Sequence, residues 1–327
     1  MRLGLFWALL AAAAGGVALR AQPASFELIA TIALPNVSGR IDHLAYDREH
    51  QRLFVAALGN NTVEVIDTAK GEYLRSLAGF HEPQGVATVD DVNAIAIANG
   101  DTGTLQLIDA QTFSTRWTVN IGGDADNVRY DAAAKRIYVA AAGGLFAVDP
   151  ANGRVVNRIP VDGHPESFQL ETTGSRVYAN LPGLLSSEIV GADRLALKVD
   201  ARSSPGCGGN YPMALDEATS RVFVGCRRPA RLATIDTRSG KAVASVEIVG
   251  DSDDLFYDAP RQRIYVIGGE GFVDVLQRRD DAFQRVDRIA TRAGARTGLW
   301  VPAINQLYVA IPARGADRAE VRVFAAH

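Results

Sequence analysis

From Gly39 to Pro83 the chain alternates short apolar runs with polar breaks. Arg40–Tyr46, Arg52–Leu58, Val63–Asp67 and Glu72–Leu77 are rich in Leu, Val, Ile, Phe and Tyr, and clusters of Gly, Asn and Asp separate them. That alternation predicts four short antiparallel strands joined by hairpin turns. A lone sheet of this kind leaves two faces bare, so the unit requires neighbours like itself.

The neighbours are present. The first aliphatic residue of the second strand recurs at Leu53, Ile95, Ile137, Val177, Val222, Ile264 and Leu307, at intervals of 40–45 residues. Seven four-stranded units at that spacing correspond to the blades of a propeller. No long helical periodicity after the N-terminus competes with this reading. The expected fold class is all-β, a seven-bladed β-propeller of four-stranded antiparallel blades.

The two ends of the chain complete the ring. Phe26–Leu34 reads as a strand with no blade of its own, while the last unit has only the strands Gly298–Val301, Gln306–Ile311 and Glu320–Ala325. The N-terminal strand is therefore expected to close the last blade and remove a free sheet edge. Asp67–Gly71, Asp149–Gly153 and Asp236–Gly240 join third to fourth strands, Asp opening each turn and Gly taking its positive φ. Blade four, Ser167–Asp200, is the least regular, because its Asn180–Ser187 connection lacks the usual turn.

Composition agrees with a single large domain over residues 22–327: 47% of the 327 residues are hydrophobic and 22% charged. A formal net charge of −3 argues against bulk electrostatic attraction to nucleic acid or an anionic membrane. Arg2, the uncharged run Leu3–Leu19 and the small residue Ala21 read as a signal peptide over residues 1–21. The competing reading is a membrane anchor, since the run approaches the lower limit of a spanning helix. Cleavage leaves an exported monomer with no anchor, placed in the periplasm, with secretion as the alternative.

The second-strand motifs Arg52-Leu-Phe-Val-Ala, Arg136-Ile-Tyr-Val-Ala, Arg221-Val-Phe-Val-Gly, Arg263-Ile-Tyr-Val-Ile and Gln306-Leu-Tyr-Val-Ala resemble those of YVTN-repeat, YncE-like bacterial β-propellers. Val65-Ile-Asp67, Leu107-Ile-Asp109 and Thr234-Ile-Asp236 match that pattern in the third strand, whereas Ala94-Ile-Ala-Ile-Ala and Arg176-Val-Tyr-Ala-Asn depart from it. The resemblance covers the whole mature chain and implies an exported seven-bladed propeller. It implies no single activity, so function has to be argued from a site.

The first strand of each propeller blade lines the central channel. Register against the second strands makes Asp42, Gln84, Asp126, Glu166, Tyr211, Asp253 and Arg296 equivalent, followed by His43, Gly85, Asn127, Ser167, Pro212, Asp254 and Thr297. Two residues before the first set stand Arg40, Glu82, Asp124, His164, Gly209, Asp251 and Gly294, with His81 beside Glu82. Three of the five histidines and many carboxylates thus converge on one mouth, with Arg227, Arg228 and Arg231 on the same face. A structural strand end does not require that concentration, so the mouth is the candidate site for a small molecule, a metal ion or a protein partner. A water-filled funnel whose polar lining merely satisfies strand ends is the plainer alternative.

His43, His81, Asp42 and Asp126 on adjacent blades form the candidate ligand set for a divalent metal, the one cofactor considered. Residues on opposite blades are expected to lie too far apart to share an ion. Cys207 and Cys226 flank the first two strands of blade five on that same face, a disulfide candidate in an oxidising compartment. No HExxH, GxSxG, P-loop or CxxCH pattern occurs. Two functions remain open: a binding or scaffold module at the mouth, or a metal-dependent, lactonase-like hydrolase using Asp126, Asn127, Glu166 and Asp254 with His43.

Overall fold

The computed structural model describes residues 25–327, and the expected signal peptide lies outside them. The described chain forms seven four-stranded antiparallel sheets arranged as a seven-bladed β-propeller. The innermost strands are Leu44–Asp47, Pro83–Val89, Val128–Asp131, Phe168–Leu170, Gly208–Asp216, Ser252–Asp258 and Gly298–Val301. In the last blade Phe26–Ala33 pairs antiparallel with Glu320–Ala326, so the N-terminal strand closes the ring.

The second strands show why the repeat is so apolar. In blade one, Leu53, Val55 and Ala57 pack into the interface with blade seven, while Phe54 and Ala56 pack into the interface with blade two. Successive residues of a strand point to opposite faces, and both faces of a blade are covered by other blades. The strand must therefore be apolar at every position, as parallel buried strands are. Seven apolar clusters fill the seven blade interfaces. Outer strands such as Glu72–Leu77 remain largely exposed.

Turn chemistry follows the sequence. Asp236 Oδ1 accepts from the Ser239 backbone N–H at 2.8 Å, and Gly240 closes the turn at φ 69°. The first strand of blade one is shorter than expected, beginning at Leu44 rather than Arg40. The cause lies in the neighbouring blade: the His43 N–H leaves its own ladder and donates to the Gln84 carbonyl at 3.3 Å. Asp254 makes the equivalent bond to the Arg296 carbonyl at 3.2 Å. These interblade bonds carry the backbone of the inner strands across the mouth.

Candidate functional site

Backbone pairing fixes the two polar rings. The N–H groups of Asp42, Asp126 and Glu166 donate to the carbonyls of Ala56, Ala140 and Asn180, equivalent residues of three second strands. Asp42, Gln84, Asp126, Glu166, Tyr211, Asp253 and Arg296 line one cavity of about 410 Å³, together with Arg40, Glu82, Asp124 and Arg227. His43 lines this cavity and also the next chamber along the channel, so it stands at the waist between them.

His43 is held from three blades. Its Nδ1 lies 3.2 Å from Asp254 on blade six, and its Nε2 lies 2.9 Å from the side-chain amide of Asn127 on blade three. Asp42 is 3.7 Å from Nε2. Burial disfavours the charged ring, but Asp254 and Asp42 outweigh it and push the His43 pKa up to about 10. A charged imidazole donates from both nitrogens; Asn127 sets its Nδ2 against Nε2 and leaves its Oδ1 without a partner, so the reverse orientation of that amide supplies the matching acceptor. Blades three and six, on opposite sides of the ring, are thus linked through His43, whose side chain spans the narrow channel.

A second cluster joins blades three and four. Donor atoms of Asp126, His164 and Glu166 all lie within 4.8 Å of one another. Burial drives the Asp126 pKa well above the usual carboxylate range, and the charges of Glu166 and Asp42 raise it further. Glu166 is lowered despite its own burial, because His164 and Asp126 hydrogen-bond to it. The two carboxyls titrate as a pair, with Asp126 pushed up and Glu166 held down. Against the penalty of burial, Glu166 and the Asp124 carbonyl and carboxylate raise His164 to about 9.

The remaining residues form the rim. Arg227 stacks over Tyr211 with its guanidinium carbon 3.8 Å from the ring centre, and donates to Asp253 at 2.5 Å. Arg296 reaches Asp251 at 3.1 Å, and Arg40 reaches Asp42 at 3.4 Å. Burial, with Asp42 and Asp254 close by, lifts Asp253 to about 7 against the pull of Arg227. Burial likewise raises Asp42. Gln84 bonds Asp124 at 2.8 Å across the blade two–three boundary. Cys207 and Cys226 are joined by a disulfide, with an S–S distance of 2.06 Å.

The structure brings most of the sequence candidates together, but not all of them. Arg40, Asp42, His43, Glu82, Gln84, Asp126, Glu166, Asp253, Arg296 and Arg227 line the mouth cavity. Asn127, His164 and Asp254 contact its walls. His81 and Arg228 are exposed and outside the cavity lining. The proposed ligand set His43, His81, Asp42 and Asp126 does not assemble. Among the described residues the one group with metal-ligand spacing is Asp126, His164 and Glu166. The reason is local: both ring nitrogens of His43 are already engaged, and the connector carrying His81 turns outward, its backbone N–H taken by Asn99 Oδ1 at 3.1 Å.

No family model matches the chain. A stretch of 126 residues, 38% of the chain, is 27% identical to "Uncharacterized protein YwhL" of Bacillus subtilis (strain 168), and it spans 27% of that protein's length. Among solved structures, the chain is similar to one from Kuenenia stuttgartiensis hydrazine synthase, with a TM-score of 0.74 at 16% identity, over 86% of this chain and 98% of that one. It is also similar to a chain of a mitotic checkpoint complex, with a TM-score of 0.78 at 11% identity, over 100% of this chain and 99% of the other. At such identities the likeness shows the propeller fold alone.

Proposed function

We propose that the chain is an exported, YncE-like binding protein that takes a small cation, a divalent metal ion foremost, into its acidic channel mouth. The observation that carries this reading is the convergence of Asp126, His164 and Glu166 donor atoms within 4.8 Å. Carboxylates outnumber cations around them: Asp42, Glu82, Asp124, Asp126, Glu166 and Asp253 face Arg40, Arg227 and Arg296 in one cavity. Burial first, and the charges of Glu166 and Asp42 after it, raise the Asp126 pKa, and a bound cation would offset both. Two carboxylates with one imidazole suit zinc, manganese or iron better than calcium, which prefers all-oxygen shells. Residues 1–21 support the exported location, with the periplasm as first choice.

Calorimetric titration with zinc and manganese tests this reading. Protons on Asp126 and His164 compete with the ion, so affinity should rise with pH up to about 9, where His164 loses its proton. The double variant Asp126→Asn/Glu166→Gln should lose binding by at least about 100-fold, consistent with removal of two ligands. Affinity that ignores pH, or survives in the double variant, would refute the site. Lactone hydrolysis by the metal-loaded protein, lost in the same variant, would move the reading to a hydrolase in which the Asp126–Glu166 pair handles protons.

A further inference from the structure

The channel has a second chamber beyond His43, of about 460 Å³, whose lining is of another kind. Its character is set by the next equivalent row of the inner strands. Ala45, Ala87, Arg129, Gln169, Ala214, Phe256 and Leu299 pair with Phe54, Ala96, Tyr138, Tyr178, Phe223, Tyr265 and Tyr308, the same position in every second strand. Five of the row are apolar, one is an amide, and Arg129 alone is charged. Leu44, Val86 and Val128 add to the apolar wall.

Arg129 differs from the arginines of the mouth and the blade interfaces. Arg227, Arg194, Arg221 and Arg278 each hold a carboxylate. Among the described residues Arg129 has no carboxylate within 4.0 Å, and its side chain makes one hydrogen bond, from Nη1 to the adjoining Val128 carbonyl at 2.8 Å. Its guanidinium carbon sits 5.6 Å from the Phe168 ring centre. Gln169 is spent on the Met213 carbonyl at 2.8 Å, and Asp254, which also lines the chamber, is taken by His43 and the Gly298 N–H. Asp90 stands exposed at the outer edge. Burial lowers the affinity of Arg129 for its proton, although Asp254 and Asp126 act in the other direction. A half-buried guanidinium whose remaining donors have no protein partner favours an anionic ligand. Its planar fork matches a carboxylate with two parallel hydrogen bonds.

We propose that this chamber is a binding site for a small organic monocarboxylate with an apolar body, its carboxylate on Arg129 and its body against Leu44, Val86, Phe256 and Leu299. The volume falls within the roughly 300–1,000 Å³ usual for small-molecule sites, and the lining mixes apolar side chains with polar groups, of which Arg129 alone is a cation with unpaired donors. The site is independent of the cation reading, because it uses the opposite chamber and none of the same carboxylates.

Isothermal titration with octanoate, octanol and inorganic phosphate tests the proposal on the full chain. Octanoate should bind at least tenfold more tightly than either of the other two. Arg129→Gln should weaken octanoate at least tenfold, Arg129→Lys should weaken it less, and Glu72→Gln on the exposed outer strand of blade one should leave it unchanged. Ala87→Phe, which fills the chamber from blade two and keeps Arg129, should also abolish binding, so the result does not hang on one variant folding. Equal affinity for octanol or phosphate would overturn the proposal. So would octanoate binding that survives both Arg129→Gln and Ala87→Phe, or no octanoate binding at millimolar concentration.

Discussion

Gly71 and Gly153 occupy the same turn position in different blades, with φ of 68° and 71°. A Cβ at Gly71 meets nothing within 4 Å, whereas at Gly153 it would lie 2.8 Å from the Trp117 ring. Gly71→Ala should therefore cost only the left-handed backbone, about 1 kcal/mol. Gly153→Ala should cost about 2–4 kcal/mol, because the indole must also move, and its N–H is tied to the Pro150 carbonyl at 2.9 Å. Denaturant midpoints of the two variants measure the difference, and equal costs would remove the packing argument. His43 offers a pH test at the same scale. Its folded pKa of about 10 lies above the ordinary 6.5, so its contribution is complete below about pH 6.5 and vanishes as pH rises through 10. His43→Gln should cost about 3 kcal/mol at pH 7, as expected for breaking a buried charge pair, and much less above pH 10. A gap between the two proteins that is constant from pH 7 to 11 would contradict the charged ring. Residue identities at the mouth were legible from register alone, down to Asp42, His43 and Asp126. Arg129 lies beyond those rows, past the apolar Leu44, Val86 and Val128, where its charge among the equivalent Ala45, Ala87 and Ala214 is the one signal that marks it.

At the scale of elements, the disulfide binds the first two strands of blade five, its cysteines separated by 19 positions. Closing a loop of this length restricts the unfolded chain by about 3 kcal/mol. Cys207→Ser/Cys226→Ser should lose about that much in a chemical unfolding curve, and an unchanged midpoint would show that the link contributes nothing. Cys226 directly precedes Arg227, so the bridge also steadies the strand that carries the mouth's stacked arginine. Some elements hid from local pattern. Glu64 and Asp274 are wholly buried in third strands otherwise read as apolar. Glu64 accepts from Tyr73 at 3.0 Å and Ser76 at 2.9 Å, and Asp274 pairs with Arg288 at 2.6 Å. Their partners lie on the adjacent fourth strand, so only pairing register reveals why the charges are tolerated.

The whole molecule depends on closure. Phe26 stacks edge-on against Tyr265 of blade six with ring centres 4.8 Å apart, and Ile32 packs in the cluster shared with blade one. The closing strand thus ties three blades. Deleting Phe26–Ala33 should expose the edge of Glu320–Ala326, lower the melting temperature and make aggregation concentration-dependent. Light scattering and thermal unfolding would check this, and a soluble, equally stable truncated protein would refute the role of the closing strand.

The repeat, the blade count and the closing strand were determined by the sequence itself. Each blade must bury both faces, and a period of two residues delivers that demand locally, wherever the strand lies. The chemistry of the channel was decided by tertiary structure. His43 meets Asp254 and Asn127 at sequence separations of 211 and 84 residues, and Asp126 is coupled to Glu166 across a blade boundary. Such contacts arise only when the ring closes and side chains of different lengths compete for one narrow axis. No periodicity in the chain records that outcome.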